Sequence, residues 1–181
     1  MTNPQILIVD DEENILHALK RLFRKENYQI FTATSAEEGL KIMDQQDVDL
    51  IISDLKMPGT NGVEFFAQTK EKKPEALRIM LTGHADLKSV LDAIDKGEIY
   101  RFLLKPWDDD EFKLSIKQAL EFYYLQRENE KLNQTVSRQN TILRQLENDC
   151  PGITSVKRDR DGSVIIDGGE VLREPDQTDN S

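Results

Sequence analysis

The segment IISDLKMPGTNG, residues 51–62, decides how the rest of the chain is read. An apolar run with the composition of a buried strand ends on a carboxylate, Asp54, and the chain then breaks at Pro58 and Gly59, residues that punctuate loops. Alone, an acid in that place is a cap or a turn-former. Its meaning changes when the other apolar runs are set beside it: QILIV (5–9), YQIFTA (28–33), DLIIS (49–53), LRIML (77–81) and YRFLL (100–104). Helical patterns separate them, and that alternation is the sequence form of repeated strand-helix units around a parallel sheet, an α/β fold.

The helices carry their own start signals. Ile15, Leu16, Leu19, Leu22 and Phe23 repeat at helical spacing, and Ser35 with Glu38 forms a capping box. Asn61-Gly62, Asp86 and Asp108 start the other three, Asp108 pairing with Glu111 in the same capping logic. From Asp108 to about Glu147 no Pro or Gly interrupts the pattern, enough for a helix of roughly 60 Å. Beyond residue 121 its apolar period becomes a heptad, with Phe122, Asn129, Val136 and Leu143 at one seam position and Leu125, Leu132, Gln139 and Leu146 at the other. A projecting helix is not stable on propensity alone, and Asn at an a position favours two parallel strands in fixed register, so residues 122–147 are expected to form a parallel homodimer.

The expected organisation is a domain over 1–121, a coiled-coil extension over 122–149, a small β-hairpin over 150–168 turning at Asp161-Gly162, and a disordered tail over 169–181. With 38% hydrophobic residues in 181, one core is affordable. The lone Cys150 excludes an internal disulfide and fits a reducing compartment. With no bilayer-length apolar stretch and no secretion signal, the expectation is a cytoplasmic protein that does not enter a membrane. The net charge of -10 argues against nucleic acid. Residues 1–121 hold 16 basic and 23 acidic side chains, and the remainder 8 and 11, so neither part is expected to supply a basic face.

In open parallel sheets, ligands bind beyond the carboxyl ends of the strands. Those ends carry Asp10 and Asp11, then Asp54, then Thr82, then Lys105 before Pro106. Three carboxylates at one rim repel unless a cation sits among them, and an all-oxygen site with room for water suits Mg²⁺. Asp10 and Asp11 would hold the metal, Asp11 more directly. Asp54 would give it one oxygen and attack phosphorus with the other, the Lys56 carbonyl would complete the coordination, and Thr82 and Lys105 would bind the phosphoryl oxygens. Gly83 would leave room for that group.

The segments ILIVDDEENI, IISDLKMPGTNG, LTGHAD and FLLKPW resemble, in order and spacing, the signature segments of the receiver domain of bacterial two-component response regulators. The resemblance covers residues 4–121. It implies a flavodoxin-like (βα)5 doubly wound sheet of order 2-1-3-4-5, Mg²⁺ dependence, and a sensor histidine kinase whose phosphohistidine donates to Asp54. It also makes Thr82 the switch hydroxyl and Lys105 the family's lysine. Phe102 stands at the aromatic switch position, without the hydroxyl of the tyrosine common there. Lys56 and His84 stand where receivers tune the access of water to the phosphoryl group, which implies slow self-dephosphorylation.

Such a domain is a switch rather than an enzyme acting on an external substrate. A phosphatase of related chemistry needs a second Asp two residues after the first, where Lys56 stands, and a nucleotide-binding module needs a Gly-rich loop where VDDEEN stands. The output is expected to run through the fifth helix and the coiled coil to a protein partner. The alternative is a coiled-coil dimeric scaffold or adaptor in which phosphorylation is dispensable.

Overall fold

The computed structural model describes residues 3–83 and 99–149, together with the backbone of residues 164–165 and 171–172. In chain order the elements are β1 (Gln5–Val9), α1 (Glu13–Leu22), β2 (Gln29–Ala33), α2 (Ala36–Gln45), β3 (Leu50–Asp54), α3 (Gly62–Lys72), β4 (Leu77–Thr82), β5 (Arg101–Leu104), α4 (Asp109–Asp149), β6 (Val164–Ile165) and β7 (Val171–Leu172). The helix expected at Asp86 lies outside the described residues, and α4 denotes the long C-terminal helix. The five main strands fall within a residue of the apolar runs in the sequence.

The five strands form one parallel sheet in the order β2-β1-β3-β4-β5, the order that the resemblance implies. Alternate side chains of a strand point to opposite faces, and here the two faces become two cores. Leu7, Val9, Ile51 and Met80 join Met43 of α2 and Phe65 and Phe66 of α3. Ile6, Ile8, Leu50, Ile52, Ile79 and Leu81 join Leu16 and Leu19 of α1 and Phe112, Ile116 and Leu120 of α4. Central strands covered on both sides have no solvent face, which is why they read as unbroken apolar runs.

The caps stand where the sequence placed them. Ser35 Oγ accepts from the Glu38 N–H at 3.2 Å. The return bond from the Glu38 carboxylate goes to the Thr34 N–H, one residue earlier than a strict capping box. Asn61 Oδ1 accepts from the Glu64 N–H, and Asp108 Oδ1 from the N–H groups of Asp110 and Glu111.

Helix α4 changes character along its length. Phe112, Ile116, Ala119, Leu120 and Tyr123 are buried in the core. A compact unit ends at Arg127 and a second comprises Glu128–Ser181. Beyond Arg127, Leu132 is 59% exposed, and Val136, Leu143 and Leu146 are exposed as well. Asn129 Oδ1 accepts from Asn133 Nδ2 at 2.7 Å. No described helix is long and apolar enough to cross a membrane.

Most of the hairpin expected over 150–168, its turn at Asp161-Gly162 included, lies outside the described residues. Val164 pairs with Leu172 and Ile165 with Val171, antiparallel, so β7 belongs to the stretch expected to be a disordered tail. Sequence offers the reason: Asp167-Gly168-Gly169 between the two strands is as strong a turn signal as Asp161-Gly162, and Val171-Leu172 supplies the apolar partner for Val164-Ile165.

Candidate functional site

Strands β1, β3, β4 and β5 deliver their carboxyl ends to one rim. Parallel register sets Val9 beside Ser53, Asp54 beside Leu81 and Thr82 beside Leu104, so each residue following or ending a strand arrives at the same level. Asp10 is fully buried and Asp54 is 9% exposed, while Asp11 is exposed. One carboxylate oxygen from each lies within 4.8 Å of the other two. The Lys105 ammonium is 2.7 Å from Asp10 Oδ2 and 3.0 Å from Asp54 Oδ1.

Both oxygens of Asp10 are engaged, Oδ2 by Lys105 and Oδ1 by the Glu12 N–H at 2.9 Å. Burial lifts its carboxyl above the usual carboxylate range, the Lys105 and Glu12 hydrogen bonds and the Lys105 charge work against that, and the Asp54 charge adds to it. Burial alone would lower the Lys105 ammonium; its hydrogen bonds to Asp10 and Asp54 and their charges outweigh burial and raise it. One ammonium among three carboxylates leaves an excess of negative charge around oxygen ligands, the arrangement a hard divalent cation relieves. The donor set fits Mg²⁺, which takes few protein oxygens and keeps waters.

Thr82 is buried at the end of β4, with its hydroxyl donated to the Gly83 carbonyl at 3.1 Å. A Cβ built on Gly83 meets nothing within 4 Å among the described residues. Lys56 is exposed on the loop after β3. Phe102 is half-buried against the core shared with α2 and α3, and His84 lies outside the described residues. The rim therefore gathers Asp10, Asp11, Asp54 and Lys105, with Thr82 ending the strand between Asp54 and Lys105.

One residue of the site's framework went unread. A Cβ on Gly62 would stand 2.3 Å from the Asp54 carbonyl oxygen and 2.9 Å from the Leu55 Cα, closer than any side chain permits. The Gly62 N–H donates to the Leu55 carbonyl at 2.9 Å, which closes the loop Lys56–Asn61 against the end of β3. The sequence marked Asn61-Gly62 as a helix start; the backbone that presses on Gly62 is visible only in the fold.

The parallel 2-1-3-4-5 sheet carries an acidic rim bridged by a lysine, an arrangement consistent with phosphorylation of an aspartate. The model of the response regulator receiver domain matches residues 6–117, and the chain belongs to that family, a class of signalling phospho-switches that implies a cognate histidine kinase. Among relatives, the hydrogenase transcriptional regulatory protein HoxA of Cupriavidus necator is 34% identical over 140 residues, 77% of this chain and 29% of that protein. Sporulation initiation phosphotransferase F of Bacillus subtilis is 33% identical over 120 residues, 66% of this chain and 96% of that protein. The crystal structure of the signal receiver domain of an HD domain-containing protein from Pseudomonas fluorescens is 41% identical over 71% of this chain and 94% of its own, with a TM-score of 0.67. The chain spans about a third of the length of the transcriptional regulators it matches first.

Proposed function

We propose that the chain accepts a phosphoryl group on Asp54 from the phosphohistidine of a sensor histidine kinase. Mg²⁺ would be held by Asp10, Asp11, Asp54 and the Lys56 carbonyl, and the signal would pass through α4 to a parallel homodimeric coiled coil over 122–147 and on to a protein partner. The observation that carries the reading is the rim itself: three carboxylates within 4.8 Å and one lysine touching two of them. When bound, Mg²⁺ neutralises charge that builds on the phosphoryl oxygens.

The protein's own part follows from its groups. An Asp54 oxygen forms the new O–P bond while the P–N bond to the kinase imidazole breaks, and the departing nitrogen takes the electron pair. Lys105 moves its ion pair from the carboxylates to a phosphoryl oxygen. Thr82 transfers its hydroxyl from the Gly83 carbonyl to another, and Phe102, half-buried on the adjacent strand, repacks with it. Lys56 and His84 would slow hydrolysis of the phosphoryl group.

The exposed seam supports dimerisation: Leu125 is 66% exposed, and an isolated helix with that apolar stripe gains stability from a partner helix. A cytoplasmic setting agrees with the single cysteine. Incubation with acetyl phosphate and Mg²⁺, mapping of the added mass by mass spectrometry, and sedimentation of both forms test the whole reading. A label on Asp54 and a dimer that truncation after Arg127 abolishes are expected; no label, or a label elsewhere, overturns the phosphoacceptor. Signalling that survives Asp54→Ala in the organism selects the scaffold instead.

A further inference from the structure

Helix α4 keeps a hold on the domain for one turn past its last buried residue. Burial along it ends at Tyr123, and side-chain bonds take over. The Tyr124 hydroxyl donates to Asp49 Oδ2 at 3.3 Å, and Arg127 stands 3.8 Å from Asp49 Oδ1 while donating to the Tyr123 hydroxyl at 2.9 Å. The Asp49 N–H donates to the Gln5 carbonyl and its own carbonyl accepts from the Leu77 N–H, which ties it to β1 and β4 at once. Lys73 anchors the preceding loop, donating to the Gln46 carbonyl at 2.9 Å and pairing with Asp47 at 2.7 Å. The seam begins on the other side of the same turn. With Phe122 at a and Leu125 at d, Tyr123, Tyr124 and Arg127 fall at b, c and f. Phe122, stacked on Tyr100, is still 39% exposed, and Leu125 is exposed as well. The family match ends at residue 117, so membership of the family does not account for these bonds.

We propose that Asp49, Tyr124 and Arg127 form a clasp that keeps the exit turn of α4, residues 123–127, helical and in one rotational phase, so that the seam starts from a fixed face of the domain. They are positioning residues for the dimer-forming face; that purpose rests on the coiled-coil reading above, whereas the geometry of the clasp does not. A helix turn without packing opens readily, and a slip of one residue would swing the seam by about 100°. Tyr124 and Arg127 are three residues apart and share one side of the helix. Attached to the two oxygens of one anchored carboxylate, they resist rolling in either direction, which a single bond does not. Both contacts go to a charged acceptor largely withdrawn from water, where such bonds are strongest.

Hydrogen–deuterium exchange of the full-length chain is compared with that of the double variant Tyr124→Phe, Arg127→Gln. Exchange over residues 121–127 is expected to rise at least about fivefold, the gain from losing one such bond, while β1, β3 and the urea midpoint stay at parent values. Glu130→Gln, off the clasp, is expected to change nothing. Should the double variant melt lower than the parent, Tyr124→Phe alone, which leaves Asp49 its Gln5 donor, carries the same comparison. For the rotational phase, a nitroxide at Lys41→Cys in a Cys150→Ser background reports the distance between the domains of two copies by pulsed electron resonance. A narrow distribution is expected in the parent and one roughly twice as broad in the variant, since an open turn no longer fixes the helix. Equal exchange over 121–127 in parent and variant overturns the clasp, as does a distance distribution of the same width in both. A monomer, giving no distance between copies, sinks the coiled-coil reading instead, and the exchange comparison then decides the clasp by itself.

Discussion

Asp49 and Asp54 flank the same strand, are buried to 8% and 9% exposure, and have opposite surroundings. Asp49, just before β3, accepts from the Gln5 N–H at 2.8 Å and the Tyr124 hydroxyl at 3.3 Å, and pairs with Arg127 at 3.8 Å. Arg127 in turn donates to the Tyr123 hydroxyl and lies over its ring. Burial and the charge of Asp49 push the Tyr124 hydroxyl up to about 12. Asp54, at the end of β3, faces Asp10 and Asp11 with Lys105 as the ion-pair partner it must share. A buried acid whose lone pairs are met by donors is architecture; one crowded by like charge stays open to an incoming cation or electrophile. Burial alone does not separate the two roles, whereas the balance of donors and like charges around each carboxylate does.

The contrast can be broken most decisively by labelling. Asp54→Ala is expected to remove all phosphoryl uptake from acetyl phosphate, and Asp49→Ala to leave uptake at the parent stoichiometry, both read by intact-mass spectrometry. A folded Asp49→Ala protein that fails to label would merge the two ends of the strand into one function.

Stability should reverse the ranking. Asp49→Ala leaves the Gln5 N–H and the Tyr124 hydroxyl without their acceptor, and a loss of about 2–3 kcal/mol is expected in urea denaturation. Asp54→Ala relieves repulsion at the rim, so its unfolding free energy should stay within about 1 kcal/mol of the parent or exceed it. Equal losses would show that Asp54 is as structural as Asp49.

Added Mg²⁺ sharpens the same line. At roughly five times its dissociation constant the cation should stabilise the parent and Asp49→Asn alike by about 1 kcal/mol, and Asp10→Asn and Asp54→Ala much less, as melting temperatures in a magnesium titration will report. A shift preserved in both rim variants would move the cation elsewhere.

The smallest effect lies at the edge of the Asp49 cluster. The Lys73 hydrogen bond, together with the charges of Lys73 and Arg127, holds the exposed Asp47 carboxyl below its ordinary range. A depressed carboxylate contributes stability above its unfolded value near 3.8 and loses it as pH falls through the folded value. Solvent screening limits this to a few tenths of a kcal/mol, so Asp47→Asn should cost that much at pH 7 and nothing at pH 2.5.

The five strands, the caps at Ser35, Asn61 and Asp108, and the rim acids were legible in sequence because each is a local fact. Strand ends in a parallel sheet share one edge, so residues that follow apolar runs can be placed together without knowing the fold in detail. The pairing of Val164-Ile165 with Val171-Leu172 was not legible because two Gly-containing turn signals, Asp161-Gly162 and Asp167-Gly168-Gly169, stand within a few residues of each other.

Amino-acid order thus determined the sheet, the order of chemistry along its rim and the family to which the chain belongs. Tertiary structure alone decided that Asp49 is saturated while Asp54 is not, that Gly62 must carry no side chain, and that Tyr124 and Arg127 share the Asp49 carboxylate. The physical reason is common to all three: each depends on distances between atoms far apart in sequence, and neither periodicity nor composition encodes which donor, backbone atom or charge will stand within a few ångströms of another.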